Sequence, residues 1–228
     1  PDIIFFWVAR MIIASLKFAG TIPFKDVYFT STIRDGKGRK LSKSLGNSPD
    51  PLNIIDKYGA DAIRFTTLYL SPLGQDIRLD VDVVSQDIPS MEIGRNFANK
   101  IWNAARFLQM KYDSLQNKQI SFEFDLNKLT SSDKWILSRL NNVIQKVNES
   151  LNNYRLNDFA KLLYEFIWKD FCDWYVEIVK IRFNQSNSDY EKLELINFAF
   201  YIFEKILKIL HPLMPFITEE LWHNLFNK

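Results

Sequence analysis

The sequence predicts a mostly α-helical protein, in which a short opening segment with one strand and a charged loop precedes a bundle of long helices. Three observations support this fold class. Apolar residues recur at helical spacing over most of the 228 residues. Only 7 Gly and 8 Pro are present, too few for a turn-rich sandwich of strands. Hydrophobic residues make up 47% of the chain, so a protein of this length can bury a substantial core.

Composition also limits the classes of function. A single cysteine, Cys172, excludes an internal disulfide and a site built from several cysteines, so a reducing, cytoplasmic setting is expected. No uncharged apolar run approaches the length needed to span a bilayer, so no membrane partner is expected. A net charge of +2 does not by itself indicate a nucleic-acid partner, which must be argued from local clusters. Because the chain starts at Pro1 inside an amphipathic segment, we expect a fragment of a longer protein.

The first 90 residues are predicted to contain a helix, a strand, a loop and two short helices. Helical spacing of apolar residues predicts a helix over 3–18, and the β-branched and aromatic run 25–32 predicts a strand. Asp50-Pro51 is typical of a helix start and Tyr58-Gly59 of a helix end, which predicts helices at 51–58 and 61–70. Residues 72–90 carry Pro, Gly and alternating valines, so we place a domain boundary there, with domains at 1–90 and 91–228.

Long helical periodicity without strand signals follows that boundary. It predicts a bundle with helices at about 91–112, 131–152, 157–184, 189–210 and 213–226. The helix 157–184 is apolar nearly all round and is predicted to be central, with Cys172 an inert core thiol and Trp174 packed in the core. His211 and His223 lack the spacing of metal ligands, so no metal site is predicted.

The segment 34–47, RDGKGRKLSKSLGN, concentrates positive charge in a loop. Its only acid is Asp35, while glycines at 36 and 38 allow the backbone to approach a ligand closely. Hydroxyls at Ser42 and Ser44 add hydrogen-bond donors, a combination that suits a polyanion such as a triphosphate. Because the spacing is not that of a P-loop, charge and glycine alone leave a solvated basic loop as an equal alternative. The basic residues are Arg34, Lys37, Arg39, Lys40 and Lys43.

The first bundle helix carries a second basic cluster. Between Arg95 and Lys111 it has four basic residues and no acid, which predicts a face turned towards an anion. Phe107 lies at the border of the polar strip, where its ring could stack on a base or simply cover the bundle. The residues that share the strip, within about a quarter-turn of one another, are Arg95, Asn99, Asn103 and Arg106.

The order of residues in the basic loop resembles a known family. K-L-S-K-S followed by L-G-N-x-x-D-P is similar to the KMSKS loop of class I aminoacyl-tRNA synthetases, with Leu41 in place of Met. Among these, the valyl-tRNA synthetase family fits FFWVARM and NFANKIWNAARF better than the isoleucyl and leucyl enzymes, which share the lysine loop and the YGAD segment. Further similar segments are IDKYGADAIRF, GQDIRLD, FIWKDFCDWYVE and HPLMPFITEELW, so the resemblance covers most of the chain.

The resemblance implies the end of a Rossmann-like α/β catalytic domain with its connecting stem region, followed by a helical anticodon-binding domain. It implies an enzyme that activates valine with ATP, accompanied by Mg²⁺, and transfers it to tRNA(Val), with no protein-bound metal and as a monomer. In that family the lysine loop stabilises the pyrophosphate. The matching catalytic positions are Lys40, Ser42, Lys43 and Ser44, with ATP contacts at Lys40 and Lys43 and Lys43 as the first choice for the catalytic contact.

The resemblance also assigns the remaining candidate sites. Ile3 and Trp7 match the wall of the amino-acid pocket, and the anticodon candidates are Arg95, Asn99, Asn103, Arg106 and Phe107. A position on the anticodon side is the alternative to core packing for Trp174. Where the family usually has a Gly after the strand, this chain has Thr30-Ser31, so the Ser31 side chain affects how closely the backbone approaches adenosine.

The family's H-x-G-H element does not occur in the sequence. We therefore expect the chain alone to be inactive but able to contact tRNA. Two other interpretations remain open: a fragment of an isoleucyl- or leucyl-tRNA synthetase, and a non-enzymatic helical RNA-binding adaptor whose basic loop contacts phosphate without chemistry.

Overall fold

The computed structural model of the chain describes residues 3–82, 84–116 and 119–226. It contains two compact units, Pro1–Thr30 and Ser31–Lys228. The larger unit includes both the lysine loop and the helical domain, and the predicted domain boundary at residue 90 stays a prediction. Of the helices in the described residues, none has both the length and the apolar character that crossing a membrane requires.

The smaller unit is built on one helix. A π-helical turn at Ile4–Val8 continues into α1, Ala9–Ala19, which ends at Gly20 with a left-handed φ of 68°. The predicted helix at 3–18 is therefore confirmed. The predicted strand at 25–32 is wrong, because the structure describes no strand there. A β-prone run becomes a strand only when a neighbouring strand satisfies its backbone hydrogen bonds along its length, and here β2 reaches only the last residue, where the Ile77 N–H donates to the Thr32 carbonyl at 2.9 Å.

The larger unit begins with a two-stranded parallel sheet. Strand β1, Ile33–Arg34, pairs with β2, Ile77–Arg78, in the register Ile33 to Ile77. Between the strands lie α2, Pro51–Tyr58, and α3, Ala60–Tyr69, close to their predicted bounds. The Asp50 side chain accepts a hydrogen bond from the Leu52 backbone N–H, which caps α2 as its sequence predicted.

Long helices make up the rest of this unit, and their bounds agree with the sequence prediction to within about two residues. They are α4, Glu92–Asp113; α5, Ser131–Asn152; α6, Leu156–Glu165; α7, Val176–Gln185; α8, Asp189–Leu210; and α9, Pro215–Phe226. A π-helical stretch, Phe166–Tyr175, joins α6 to α7 without a break. The chain is thus mostly α-helical, and the bundle encloses a core rich in phenylalanine.

The α6–α7 segment packs against α3, α4, α5 and α8, as expected for a central helix, but one side of it faces solvent. Trp174 is 65% exposed, so the prediction that it packs in the core is wrong. Ile181 is also exposed. A helix that is apolar on nearly all sides does not indicate which of its sides will be buried. The packing of α4 and α5 against the α6–α7 segment decides which side is covered. Cys172 is buried as predicted, and burial raises the pKa of its thiol to about 12, which makes it inert.

Candidate functional site

The lysine loop leaves β1 and returns beside it. Arg34 forms an antiparallel bridge with Lys40, and the Leu41 backbone N–H donates to the Ile33 carbonyl at 3.2 Å. The turn between them requires the left-handed φ of 78° at Gly38. After this return a single 3₁₀ turn, Lys43–Leu45, ends at Gly46 with a φ of 64°. The loop is therefore ordered and has two segments, residues 34–41 and residues 42–47, which we call its first and second arms.

Asp35 is the centre of the loop's hydrogen bonding. Its side chain is only 3% exposed. One carboxylate oxygen accepts the backbone N–H groups of Lys37, at 3.0 Å, and Arg39, at 2.9 Å, and the other accepts the Arg39 guanidinium. Asn47 donates to the same second oxygen at 3.0 Å, and this hydrogen bond does most to lower the pKa of Asp35, to about 2. Asp35 is therefore ionised at neutral pH and lies buried within the positively charged loop.

Asn47 ties the second arm of the loop to the first. It is 1% exposed. Its Oδ1 accepts the backbone N–H of Ser42 at 2.9 Å, while its Nδ2 donates to Asp35 and, at 3.3 Å, to the Lys40 carbonyl. The backbone on either side of Leu41 is therefore held at both ends by one amide.

The five basic residues of the loop divide into two groups. Arg39 is bound to Asp35, and Arg34 pairs with Asp76, whose pKa this hydrogen bond lowers. The other three are exposed, and none forms an ion pair with an acid in the part of the chain that the structure describes: Lys37, Lys40 and Lys43. Two cations therefore shape the loop and three are available to an anion.

The loop's serines lie beside these available lysines. Ser42 and Ser44 share a hydrogen bond of 2.7 Å between their hydroxyl oxygens. The structure thus brings together the four positions that the sequence assigned to catalysis, on one short stretch from Lys40 to Ser44. Their roles stay predictions.

A cavity of about 500 Å³ lies next to the loop, with Lys40 and Leu41 on one wall. Apolar residues of a second, smaller hydrophobic core, among them Ile54, Leu79 and Met91, line the other side. The lysine loop thus rests against a largely apolar depression.

The polar strip on α4 is partly engaged in intramolecular contacts. Asn99, Asn103 and Arg106 are exposed. Arg95, by contrast, donates to Glu92 at 3.0 Å and lies 5.4 Å from the centre of the Tyr58 ring. The strip therefore presents two amides and one guanidinium to solvent, with a second guanidinium held at its edge.

Phe107 is half-buried at the seam between α4 and the α6–α7 segment. Lys180 lies 5.3 Å and Lys111 lies 6.0 Å from the centre of its ring. Sequence reasoning missed Lys180, which comes 73 residues after Phe107, the same offset that separates Lys100 from Asp173 across this seam. Only the parallel packing of the two helices places Lys180 there. Phe107 is thus an aromatic ring flanked by cations, an arrangement that suits a stacked base and its phosphate.

Ile3 and Trp7 belong to the smaller unit. Both side chains are 60% exposed, and the Arg10 guanidinium lies 5.9 Å from the Trp7 ring. Their predicted role in an amino-acid pocket stays a prediction. Among the described residues, no group of three or more His, Cys, Asp or Glu side chains is arranged to hold a metal ion.

Two family models match the chain. Residues 1–80 match the family described as tRNA synthetases class I (I, L, M and V), and residues 133–228 match the anticodon-binding domain of tRNA ligase. Curated relatives extend over nearly the whole chain. The valine–tRNA ligase of Chlorobaculum tepidum is 47% identical over 98% of this chain and 25% of its own length. That of Borreliella burgdorferi is 45% identical over 100% of this chain and 24% of its own.

Solved structures support the fold. A Mycobacterium tuberculosis methionyl-tRNA synthetase in complex with methionyl-adenylate has a TM-score of 0.73 at 20% identity, covering 96% of this chain and 42% of that one. The LeuRS in a ternary complex from Agrobacterium radiobacter K84 has a TM-score of 0.65 at 19% identity, covering 93% of this chain and 24% of that one.

The sequence covers about a quarter of the length of the curated relatives that it matches. Its lysine loop, α2, α3 and its bundle all lie within the part of the chain that aligns with those proteins. The chain belongs to the class I tRNA synthetase family, and within it is similar over nearly its full length to valine–tRNA ligases.

Proposed function

We propose that the chain is the lysine-loop and anticodon-binding part of a valine–tRNA ligase of the cytoplasm. The observation that carries the proposal is the loop from Lys40 to Ser44, which presents two exposed ammonium groups without an acidic partner among the described residues, together with two hydroxyls. Asp35 and Asn47 hold the backbone of this loop. The identity to curated valine–tRNA ligases supports valine as the amino acid and tRNA(Val) as the acceptor.

In the proposed reaction a carboxylate oxygen of valine attacks the α-phosphorus of ATP. The bond from the α-phosphorus to the bridging oxygen breaks, and pyrophosphate leaves with the additional negative charge. Lys40 and Lys43 donate hydrogen bonds to that charge as it develops, with Ser42 and Ser44 as further donors, and Mg²⁺ accompanies the nucleotide. Because the lysines gain most in the transition state, they speed the reaction rather than hold the substrate.

In the same proposal, Ile3 and Trp7 contact the valine side chain. The strip on α4 reads the anticodon, with base contacts from Asn99 and Asn103, a stacking contact from Phe107 and phosphate contacts from Arg95 and Arg106. The protein acts as a monomer.

Lys43→Ala tests the role of the loop. The chain replaces the matching quarter of the Chlorobaculum tepidum relative, and exchange of labelled pyrophosphate into ATP is measured with valine. We expect kcat to fall about a hundred-fold, the loss typical of one missing transition-state donor, with little change in the KM for valine.

Lys146→Ala, which removes an equally exposed ammonium from α5, is the control and should leave the exchange rate unchanged. An unchanged kcat with a raised KM for valine in Lys43→Ala would contradict the proposed role.

A further inference from the structure

The least exposed polar side chains of the lysine loop are not the ones that face a ligand. Asp35 and Asn47 are twelve residues apart, at the start and the end of the loop, and their side chains meet beneath it. Together they hold four backbone groups: the N–H groups of Lys37, Arg39 and Ser42 and the carbonyl of Lys40. Neither side chain is available to a substrate, yet every one of these bonds fixes part of the loop.

Their hydrogen bonds fall on the residues that the proposed function uses. Asn47 holds the carbonyl of Lys40, one candidate lysine, and the N–H of Ser42, which directly precedes the other candidate, Lys43. The lysines themselves have long, exposed side chains and no acidic partner among the described residues. Asn47 and Asp35 therefore help to fix the backbone positions from which the two lysine side chains extend.

We propose that Asp35 and Asn47 are positioning residues, a buried clasp that joins the two arms of the lysine loop and thereby places Lys40 and Lys43 for phosphate chemistry. This inference rests on the proposed function for the chemistry, but the clasp itself is a property of this chain.

The charges around the clasp determine how it responds to substitution. Arg39 contacts the Asp35 carboxylate from the loop, and Arg34 is occupied by Asp76. Asp80, which follows β2, lies next to Gly36, and Lys37 projects into solvent. One carboxylate in the clasp is thus balanced by Arg39, whereas a second carboxylate would have no cation of its own.

Asn47→Asp places a carboxylate directly against Asp35, in place of a donor 3.0 Å away. Repulsion makes it unfavourable for two carboxylates at this distance to be ionised together. The second ionisation of the pair therefore has a pKa above that of a single carboxyl. Below that raised pKa the pair shares a proton and the clasp closes, and above it the arms repel. In the ligase carrying this chain, the kcat of pyrophosphate exchange should fall with rising pH by roughly ten- to a hundred-fold relative to the parent.

The double variant Asp35→Asn with Asn47→Asp reverses the hydrogen bond without changing the net charge. The amide at 35 can then donate to the carboxylate at 47, which still accepts the Ser42 N–H, but Arg39 loses its acceptor and the Lys40 carbonyl loses its donor. Because only one carboxylate remains in the clasp, we expect the double variant to lose the fall with pH and to recover only part of the lost kcat. Asn53→Asp and Asp56→Asn, on exposed positions of α2, make the same chemical changes outside the clasp and should match the parent. A pH profile of Asn47→Asp that matches the parent, or a double variant that keeps the fall with pH, would overturn the inference.

A second measurement does not depend on activity. Amide hydrogen exchange is followed by NMR in the 228-residue chain, with and without the Asn47→Ala substitution. Loss of the clasp should speed exchange at Ser42 and Arg39 at least tenfold while amides in α3 keep their rates. Unchanged exchange at Ser42 would overturn the clasp even if the ligase is active. A parent ligase with no exchange activity would instead contradict the proposed function, and the hydrogen-exchange result would still decide the clasp.

Discussion

Asp133 is a carboxylate buried at the start of α5. It forms a capping box with Thr130, and its other oxygen accepts the Tyr175 hydroxyl and Arg182 Nη1, each at 2.7 Å. Burial alone would raise the pKa of Asp133, but hydrogen bonds from Arg182, Thr130 and Tyr175 outweigh it and hold the pKa below its usual range. The ionised carboxylate thus links α5 to the α6–α7 segment.

Asp133→Asn should lower the free energy of unfolding by about 3 kcal/mol at pH 7, because it leaves a partly buried Arg182 without its acid. The folded pKa of Asp133 is depressed, so its stabilisation is complete above the unfolded pKa of about 4 and is lost as the pH falls through the folded value. The difference between parent and variant should therefore shrink below about pH 4. Urea unfolding across this range measures it.

Asp56→Asn, at an exposed site on α2, is the matched control and should change the free energy of unfolding little at any pH. A difference between the parent and Asp133→Asn that stays constant down to pH 3 would contradict an ionised, stabilising Asp133.

At the scale of elements, α3 is the helix that joins the lysine-loop region to the bundle. Its Asp61 side chain accepts the backbone N–H of Ile217 at 2.7 Å, in the first turn of α9. Arg64 donates to the Pro212 carbonyl at 3.0 Å. At the other end, Asn157 of α6 donates to carbonyls in the last turn of α3. Polar contacts at both ends therefore fix α3 against two bundle helices.

The middle of α3 lies directly on α4. Gly94 donates its backbone N–H to the Thr66 hydroxyl at 3.0 Å. A Cβ at position 94 would come within 2.7 Å of both the Ala62 Cα and the Thr66 Oγ1. Because the near atoms of Ala62 belong to the backbone, they cannot rotate away. Glycine is needed at this crossing for the close approach of two helices.

Gly94→Ala is expected to lower the free energy of unfolding by about 1 to 3 kcal/mol through overpacking, although alanine is the better helix former. Thermal and urea unfolding measure the change. Gly36→Ala is the control, because the nearest atom to a Cβ there is 3.8 Å away, and it should have a much smaller effect. Equal stabilities of Gly94→Ala and the parent would contradict the close packing of α3 on α4.

At the scale of the molecule, the charge is nearly balanced but unevenly placed. A net charge of +2 conceals cations on the lysine loop and along the seam between α4 and the α6–α7 segment. At the seam, Lys100 is paired with Asp173, whereas the exposed Arg106 has no acidic partner within the described part of the chain. Binding of an RNA to this seam should therefore depend on a few cations and on the ring of Phe107.

The chain should bind an anticodon stem-loop of a valine tRNA with an affinity that falls as salt rises. Arg106→Ala should weaken binding to any stem-loop and reduce the salt slope by about 1, because it removes one phosphate contact. Phe107→Ala should cost about 1 to 3 kcal/mol and affect the cognate loop more than an unrelated one, because it removes a stacking contact. Fluorescence anisotropy at several salt concentrations measures both effects.

Lys146→Ala on α5 removes the same charge away from the seam and serves as the control. Variants of Arg106 and Phe107 that remain folded and bind the cognate loop as the parent does would place the RNA-binding face elsewhere on the bundle.

The sequence by itself determined which segments are helical and located the basic loop for which we propose phosphate chemistry. Helix bounds such as 51–58 and 189–210 follow from local apolar spacing and from caps within a few residues, so no distant contact is needed to predict them. The concentration of lysines and serines at 40–44 is likewise visible in the order of residues, as is the family that they resemble.

The tertiary structure alone decided which side chains meet across long stretches of chain. The segment 25–32 has the composition of a strand, but the strand that forms next to it is β1, Ile33–Arg34, because β2 pairs with those two residues and reaches back no further than the Thr32 carbonyl. The same reason applies to the burial of Asn47 against Asp35, to the exposure of Trp174 and to the placement of Lys180 at Phe107. Residue order records local preference, whereas burial and pairing depend on packing between segments that only the folded chain brings together.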